Sequence, residues 1–478
     1  MRSLLLALQR RLLADGGFSI TEVLVAMMVF ALMSIGLAYG ITNALVLTQE
    51  SRARQTALNL ASEDLDQLRS YANPFDIRST ATDERLESTV GGQKYVLTRT
   101  TQWVDSAGNS SSCGTDGTTL AYKSITSTVT WQNGKGKPLS VALDTLVAPN
   151  SRINADGTGA ILVTIRNAAG TGASGIPVTI AANPGGGGAT VKQPAPTDGS
   201  GCTYALQVQP GSYTVSASTP GGIDTTQQEV ATNKTVTVAA GTDAAVTFTY
   251  DQAHTFQVDY ATSYPGGTAK LPTNLSTTLY NGVGGSSVFP GTPRTIKAFP
   301  YRDGYQFMAG AFVTADGGGS ATCLSPNPGK WTTATNGAIG QAPEAMNAPA
   351  GVVDSASQKV TVPMGIVVVP VDKDYPYITA VSDSAAPDFD PGCNAPSPKT
   401  LTFSGTTAGN VGIALPYGTW SIYQSKSPGS TASSNSKNIV QTASNKITYP
   451  NGGGQTNNAG FLIFKWGDTV TLDPRKAP

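Results

Sequence analysis

The feature that most constrains this chain is an apolar stretch close to its N-terminus. The run from Val23 to Leu47 contains 25 residues and no charged side chain. As an α-helix it is long enough to cross the ~30 Å hydrocarbon core of a bilayer. Arg2, Arg10 and Arg11 precede it, and the positive-inside rule keeps such a basic leader on the cytoplasmic side. The sequence therefore predicts a single-pass membrane segment at the start of the chain.

A candidate cleavage site lies before this stretch rather than after it. An ordinary secretory signal is cut after its apolar region, at small residues. Here Gly16 and Gly17 precede Phe18, so a cut between Gly17 and Phe18 leaves the apolar helix in the mature protein. The alternative is an uncleaved signal anchor, in which Gly17 and Glu22 have no special role.

The segment 17–26, GFSITEVLVA, resembles the prepilin signature of type IV pilins and type II secretion pseudopilins. The resemblance implies that a membrane-embedded prepilin peptidase cleaves between Gly17 and Phe18 and that Phe18 is then N-methylated. It also matches Glu22 with the glutamate of that family. A carboxylate in an apolar helix costs ~2.5–3.5 kcal/mol on insertion scales, so it needs a partner. We expect the Phe18 amine of a neighbouring subunit to neutralise Glu22 during assembly, with snorkelling to the membrane surface as the alternative.

The helix is expected to continue beyond the membrane, because no proline interrupts the chain before Pro74. Small and apolar residues then recur at three- and four-residue spacing, which places them on one face. These are Ala57, Leu58, Ala61, Leu65 and Leu68. A helix from Phe18 to about Tyr71 is roughly 80 Å long. Gly36 and Gly40 are its weak points, and two helices with a bend there are the alternative.

Antiparallel strands are predicted between residues 93 and 147. Candidate strands cover 95–100, 122–131 and 139–147, with a Gly-Lys-Gly turn before the last. The sequences YVLTRTTQWVD, YKSITSTVTW and VALDTLVAP resemble the globular head of minor pilins and pseudopilins. This resemblance and the prepilin signature together cover residues 1–150, and they imply a long helix followed by a pilin-type antiparallel β head.

The remainder of the chain has the composition and spacing of β-sandwiches. From Ser151 it is rich in Gly, Thr, Ala and Val, with short apolar runs every 8–12 residues. A degenerate repeat joins an apolar strand, a Pro/Gly turn and an aromatic-anchored strand, at 204–215, 298–307 and 411–422. The stretch 197–215 resembles carboxypeptidase-regulatory-like and collagen-adhesin B-type sandwiches.

The predicted fold class is therefore α+β, with a long N-terminal hydrophobic helix, a pilin-type head and about three all-β sandwich domains. The predicted segments are a leader at 1–17, a membrane and filament-core helix at 18–72, a β head at 73–150, and sandwiches at 151–250, 251–362 and 363–478.

Four cysteines are candidates for disulfides, because an exported chain meets an oxidising environment. None belongs to a CxxC pair. Proximity along the chain favours Cys113–Cys202 and Cys323–Cys393, with two other connectivities open. Closing loops of these lengths stabilises by ~4 kcal/mol each in the chain-entropy model.

Composition and motifs argue against several other functions. Lys plus Arg and Asp plus Glu both number 31, so no net charge favours nucleic-acid binding. The one histidine, His254, lies near a predicted strand start without a GxSxG elbow, and we interpret it as structural or as a surface residue. The acids at 372–374 and at 388–390 lack the EF-hand pattern and are predicted to be solvated turn acids. We predict no catalytic residue, no metal site and no cofactor.

The sequence thus predicts a structural subunit, minor or at the tip, of a type IV pilus-like filament that displays β-sandwiches for adhesion. Its expected partners are the prepilin peptidase/methyltransferase, other pilin subunits, the membrane and an unidentified surface ligand. It is expected in the inner or cytoplasmic membrane before assembly and in an extracellular filament or on the cell surface afterwards. Two alternatives are a pseudopilin of a type II secretion system and a membrane-anchored surface enzyme or carbohydrate-binding protein with a pilin-like anchor.

Overall fold

The structure is a computed structural model and belongs to the α+β class, as predicted. It describes residues 19–71, 73–80, 85–105, 107–114, 120–148, 157–312, 323–334, 337–341, 344–346, 358–383, 387, 389–393, 398–457 and 469–475. The leader at 1–17, and with it Gly17, lies outside these residues, as does Phe18. The chain divides into two compact units, Met1–Ser112 with Leu120–Arg152, and Cys113–Thr119 with Ile153–Pro478.

The described part of the first unit begins with a long helix, α1, which spans Ile20–Arg69 and has 50 residues. At 1.5 Å per residue it is about 75 Å long. It runs without a break through Gly36 and Gly40, so the bend considered as an alternative does not occur. The helix ends at Arg69, before Pro74, and the Asn73 side chain accepts a hydrogen bond from the Phe75 N–H to cap a short 3₁₀ turn.

An antiparallel sheet packs on the C-terminal half of α1. Its strands are β1 Leu86–Val90, β2 Gln93–Asp105, β3 Ser110–Ser111, β4 Leu120–Gln132 and β5 Pro138–Val147. The order is β1-β2-β4-β5, with β3 paired to β2. Alternate residues of the strands face the helix, and Ala57 and Ala61 of α1 meet Tyr95, Val129 and Trp131 in one buried cluster. The small alanines let the helix backbone approach the sheet closely.

The second unit begins with two sheets that face each other. The strands are β6 Gly159–Arg166, β7 Val178–Ala182, β8 Cys202–Val208, β9 Gly211–Ala217, β10 Gly222–Asp224, β11 Lys234–Val238 and β12 Asp243–Gln252. One sheet has the order β10-β12-β6-β8 and the other β11-β9-β7. Strands β6 and β12 run parallel, an arrangement that needs a long connection between them. Inward-facing residues of both sheets form one core, so this region is a β-sandwich.

The other strands of the second unit fall between residues 254 and 472. They are β13 His254–Tyr260, β14 Ser263–Tyr264, β15 Gly267–Thr268, β16 Ser276–Asn281, β17 Ser286–Pro290, β18 Thr295–Ala298, β19 Tyr305–Ala309, β20 Gln358–Val362, β21 Gly365–Val371, β22 Tyr377–Ser382, β23 Thr400–Thr402, β24 Gly409–Leu415, β25 Gly418–Ser425, β26 Ser436–Asn438, β27 Gly454–Asn457 and β28 Thr469–Leu472. A short helix, α2 Ile439–Ala443, follows β26.

These strands form several small sheets. The three larger ones have the orders β18-β13-β20, β17-β16-β19 and β23-β22-β25-β28-β27, with β26 paired to β25. Two smaller ones are the pairs β14-β15 and β21-β24. One hydrophobic cluster extends from Phe256 to Leu472, so the segments on either side of the predicted boundary at 362/363 share a core. The boundaries of the individual sandwiches stay predictions.

The sequence repeat corresponds to three places where the chain changes sheets. Strands β8 and β9, β18 and β19, and β24 and β25 are neighbours in sequence, yet the two strands of each pair belong to different sheets. A glycine with positive φ lies at each change of sheet: Gly211 and Gly418 are the first residues of β9 and β25, and Gly304 directly precedes β19. A Cβ on Gly211 would clash with the backbone of Gly188, and one on Gly418 would lie 3.0 Å from Ser325 Cβ. The repeat therefore marks corners of the fold rather than hairpins.

A buried aromatic residue fastens each corner. Tyr213 and Tyr305 are fully buried and Trp420 is nearly so. Their polar atoms donate to backbone carbonyls shortly upstream: Tyr213 Oη to Gln209 O at 2.7 Å, Tyr305 Oη to Phe299 O at 2.6 Å, and Trp420 Nε1 to Pro416 O at 2.9 Å. The arrangement is analogous to the tyrosine corner of sandwich domains, in which a hydroxyl satisfies a carbonyl that turns away from its own strand.

Candidate functional site

The N-terminal half of α1 leaves a long apolar surface uncovered. Its large apolar side chains between Ile20 and Leu47 are solvent-exposed; Phe30, for example, is 73% exposed. Within the described part of the chain, α1 is the helix long and apolar enough to span a membrane, judged by length and composition. A continuous apolar surface of this kind marks contact with lipid or with other apolar helices.

Glu22 lies in the first turn of α1. Its side chain is exposed and carries the acidic charge at the helix N-terminus, the end where the helix dipole favours a negative group. The cleavage and methylation sites proposed at Gly17 and Phe18 lie outside the described residues, so these roles stay predictions.

The C-terminal half of α1 is fixed to its sheet by a buried ion pair. Asp64 is nearly fully buried, and Arg99 of β2 donates to it from Nε at 2.9 Å and from Nη2. The Ser127 hydroxyl of β4 donates to Asp64 Oδ2 at 2.8 Å. A buried carboxylate is tolerated only when its lone pairs are satisfied, as they are here. No local pattern predicts this role of Asp64, because its partners are 35 and 63 residues away along the chain.

The four cysteines form two disulfides. Cys113 is joined to Cys202, and Cys323 to Cys393. This is the connectivity that proximity along the chain favoured. Cys113 lies in the short segment that clusters with the second unit, so all four cysteines belong to that unit.

The structure shows the environment of His254 and of the acidic turns. His254 is buried at the start of β13, with its ring edge-on to Phe256 at 4.8 Å. Asp372 and Asp374 are exposed, as predicted. Asp390 departs from the prediction of a solvated acid, because it is buried and accepts hydrogen bonds from Ser325, Thr419 and Gly392. No cluster of three or more His, Cys, Asp or Glu side chains suited to a metal ion occurs among the described residues.

Comparisons with known proteins give distant similarities. No protein-family model and no curated protein matches the chain. Among solved structures it is similar to the Bacillus anthracis TIE protein, at 12% identity over 75% of this chain and 73% of that chain, with a TM-score of 0.19. A streptococcal ancillary pilin matches at 9% identity over 59% of this chain and 95% of its own, with a TM-score of 0.14. The major pilin subunit of Bacillus cereus matches at 12% identity over 59% and 92%, with a TM-score of 0.17. Two of these neighbours are pilin subunits, but such TM-scores establish no shared fold and carry no weight for function.

Proposed function

We propose that this chain is a structural subunit, minor or at the tip, of a type IV pilus-like filament, and that its second unit is displayed at the cell surface for adhesion. The observation that carries the proposal is the division of α1 into two halves. The half that ends near Leu47 exposes its apolar side chains, and the half around Ala57–Leu68 is packed on a sheet. Such a helix joins a membrane or filament core to a folded head without a flexible linker.

The prepilin-like sequence before α1 supplies the route into the filament. In this proposal a prepilin peptidase cuts after Gly17, and the same enzyme methylates the new N-terminus at Phe18. The mature helix leaves the membrane by exchanging lipid contacts for contacts with the apolar helices of other subunits. Glu22 pairs with the Phe18 amine of a neighbour and so helps to select the subunit that enters.

The size of the second unit favours a minor or tip position. It extends from Ile153 to the end of the chain at residue 478, in addition to the head. Repeated at every position of a helical filament, such a mass would crowd the filament surface. We assign the chain a structural role, with the peptidase as the enzyme that acts on it and an unidentified surface molecule as its ligand.

The first test is the mass of the N-terminal peptide of the protein isolated from its native host. The proposal predicts a mature chain that begins with N-methyl-Phe18. A chain that still begins at Met1 would identify an ordinary signal-anchored protein and would overturn the assignment to a filament.

A second test separates a pilus from a secretion system. Cells that lack the chain should lose surface filaments, or their adhesion, while the export of secreted enzymes continues. Loss of enzyme export with normal surface filaments would instead identify a pseudopilin.

A further inference from the structure

A cavity of about 130 Å³ lies in the second unit beside the third corner. Its walls come from the Gly310–Ala311 segment, the Cys323–Cys393 disulfide, strand β23 and the turn from Pro416 to Trp420. A cavity of about 150 Å³ is known to hold one benzene-sized ring. At about 130 Å³ this cavity is slightly smaller, so it admits one ring, or the edge of one, and not an extended chain.

Several polar side chains that line the cavity already have hydrogen-bond partners within the protein. Asp390 accepts from the Ser325 and Thr419 hydroxyls at 2.7 and 2.8 Å, and from the Gly392 N–H at 2.9 Å. Asn274 donates to Thr400 O at 2.9 Å and accepts from the Thr402 N–H at 2.9 Å. These bonds hold the wall in place and leave apolar groups, among them Leu401 and Trp420, to contact a ligand.

Two polar side chains of the wall are not engaged in this way. Within the described part of the chain, neither the Tyr417 hydroxyl nor the Lys399 ammonium has a hydrogen-bond or ion-pair partner. Tyr417 is half-buried, and burial raises the pKa of its hydroxyl. The Tyr417 hydroxyl is therefore left to water or a ligand, and the exposed Lys399 ammonium can reach a ligand in the cavity.

Comparison of the corners shows that Tyr417 is not needed for the turn itself. In the first corner Gly211 and Tyr213 hold the places that Gly418 and Trp420 hold in the third, and Pro210 stands where the third corner has Tyr417. The fastening hydrogen bond of the third corner is made by Trp420 Nε1. The first corner forms with proline at this position, so the turn itself does not require Tyr417.

The charges of the wall specify the ligand further. Asp383 and Lys399 both line the cavity and carry opposite charges. A ligand with a net charge would be attracted by one and repelled by the other, whereas hydroxyl groups can donate to a carboxylate and accept from an ammonium. An apolar wall with hydroxyl, carboxylate and ammonium groups suits a ring that has an apolar face and a hydroxylated edge.

We propose that this cavity binds a single neutral sugar ring, the terminal residue of a surface glycan, with Tyr417 and Lys399 hydrogen-bonding its hydroxyls and Trp420 and Leu401 contacting its apolar face. The role of this binding in adhesion rests on the proposed function, but the binding itself does not.

The test uses the full-length chain in a detergent without a sugar headgroup. The probes are the methyl glycosides of glucose, galactose, mannose, fucose, N-acetylglucosamine and N-acetylgalactosamine, measured by saturation-transfer NMR and calorimetry. At least one should bind saturably. Tyr417→Phe keeps the ring and removes the hydroxyl, so it should raise Kd about 2- to 10-fold, the value of one hydrogen bond. Lys399→Gln should weaken binding of the same glycoside.

Matched controls keep the result interpretable. Tyr423→Phe changes a half-buried tyrosine of β25 outside the cavity, and Lys359→Gln changes an exposed lysine of β20; both should bind as the unmodified chain does. Ala311→Leu adds side-chain volume at the cavity wall and should abolish binding while the thermal unfolding midpoint stays within a few degrees. If it unfolds the protein, Tyr417→Phe decides the question.

Three outcomes would overturn the sugar site. No glycoside binds, or Tyr417→Phe binds the glycoside with unchanged Kd, or the cavity binds a peptide with an aromatic side chain and none of the glycosides displaces it. The N-terminal peptide mass of the same preparations separates this failure from that of the filament assignment. A correctly processed chain that binds no glycoside would contradict only the sugar-site proposal. An unprocessed chain that binds a glycoside would contradict only the assignment to a filament.

Discussion

At the scale of single residues, some buried polar side chains in this protein are satisfied by groups close in sequence. Asp224 is an example, because its two carboxylate oxygens accept from the backbone of Thr226, Gln228 and Thr232 and from two threonine hydroxyls. Burial by itself would raise the pKa of Asp224, but these hydrogen bonds outweigh it and lower the pKa below its ordinary value. The ionised carboxylate is therefore the form that the fold selects.

Asp224→Asn should destabilise the second unit by about 2 kcal/mol at pH 7, because hydrogen bonds to a charged acceptor are lost. Since the folded pKa is lowered, this contribution is fully present above the unfolded pKa of about 4 and disappears as the pH falls through the folded value. Urea unfolding of both proteins at pH 7 and pH 3 measures it. A difference that is equally large at both pH values would contradict the assignment.

The corner aromatics allow a second prediction at this scale. Tyr213 donates to Gln209 O and accepts from the Ala189 N–H, so Tyr213→Phe leaves two backbone groups without their partner. We expect a loss of about 1–3 kcal/mol in the free energy of unfolding. Tyr423→Phe, which removes a hydroxyl away from the corners, is the control and should cost little. Equal effects of the two changes would show that the corner bond is not special.

At the scale of elements, α1 has an exposed apolar half and a half that packs on the sheet. The sequence already distinguishes the two halves. The uncharged run and the three- and four-residue spacing after it predicted the helix correctly, because both signals are local. Three strands of the head were also predicted, but β1 and β3 were not, and β2 begins and ends beyond the predicted segment, at Gln93 and Asp105. Strand ends depend on the partner strand, which a local pattern does not reveal.

The ion pair between α1 and the sheet can be tested with a double-mutant cycle. Asp64→Ala leaves the largely buried Arg99 without its counter-charge, and we expect a loss of about 3–5 kcal/mol. Combining it with Arg99→Met should recover part of that loss, because the unpaired charge is also removed. Unfolding followed by the fluorescence of Trp103 and Trp131 reports on this unit. Strictly additive effects would show that the two residues do not interact.

Glu22 permits a prediction about assembly. Glu22→Ala should leave cleavage and membrane insertion intact and sharply reduce incorporation into filaments, because the charge that selects the neighbouring subunit is lost. Comparison of the amounts in sheared filaments and in membranes measures this. Glu63→Ala, which changes an exposed glutamate in the packed half of the same helix, is the matched control. Normal incorporation of Glu22→Ala would mean that the carboxylate only snorkels.

At the scale of the whole molecule, the disulfides are the covalent ties of the second unit. They close segments of 89 and 70 residues. In the chain-entropy model each contributes about 4 kcal/mol. Replacing either pair by alanine should therefore lower the unfolding transition of the second unit and leave that of the first unit in place. Calorimetry with and without reductant measures this, and a shift confined to the first unit would contradict the division into units.

Local patterns were enough to predict the long helix, its uncharged span, the β-rich remainder and the cysteine pairing favoured by proximity. Periodicity, composition and separation along the chain are properties of neighbouring residues, so they need no knowledge of the fold. Tertiary structure alone decided that the Pro/Gly turns are corners between sheets, that β6 and β12 run parallel, that Asp390 is buried and that Tyr417 and Lys399 face one cavity. Each of these depends on segments far apart in sequence, whose meeting is set by how the sheets pack and not by any local pattern.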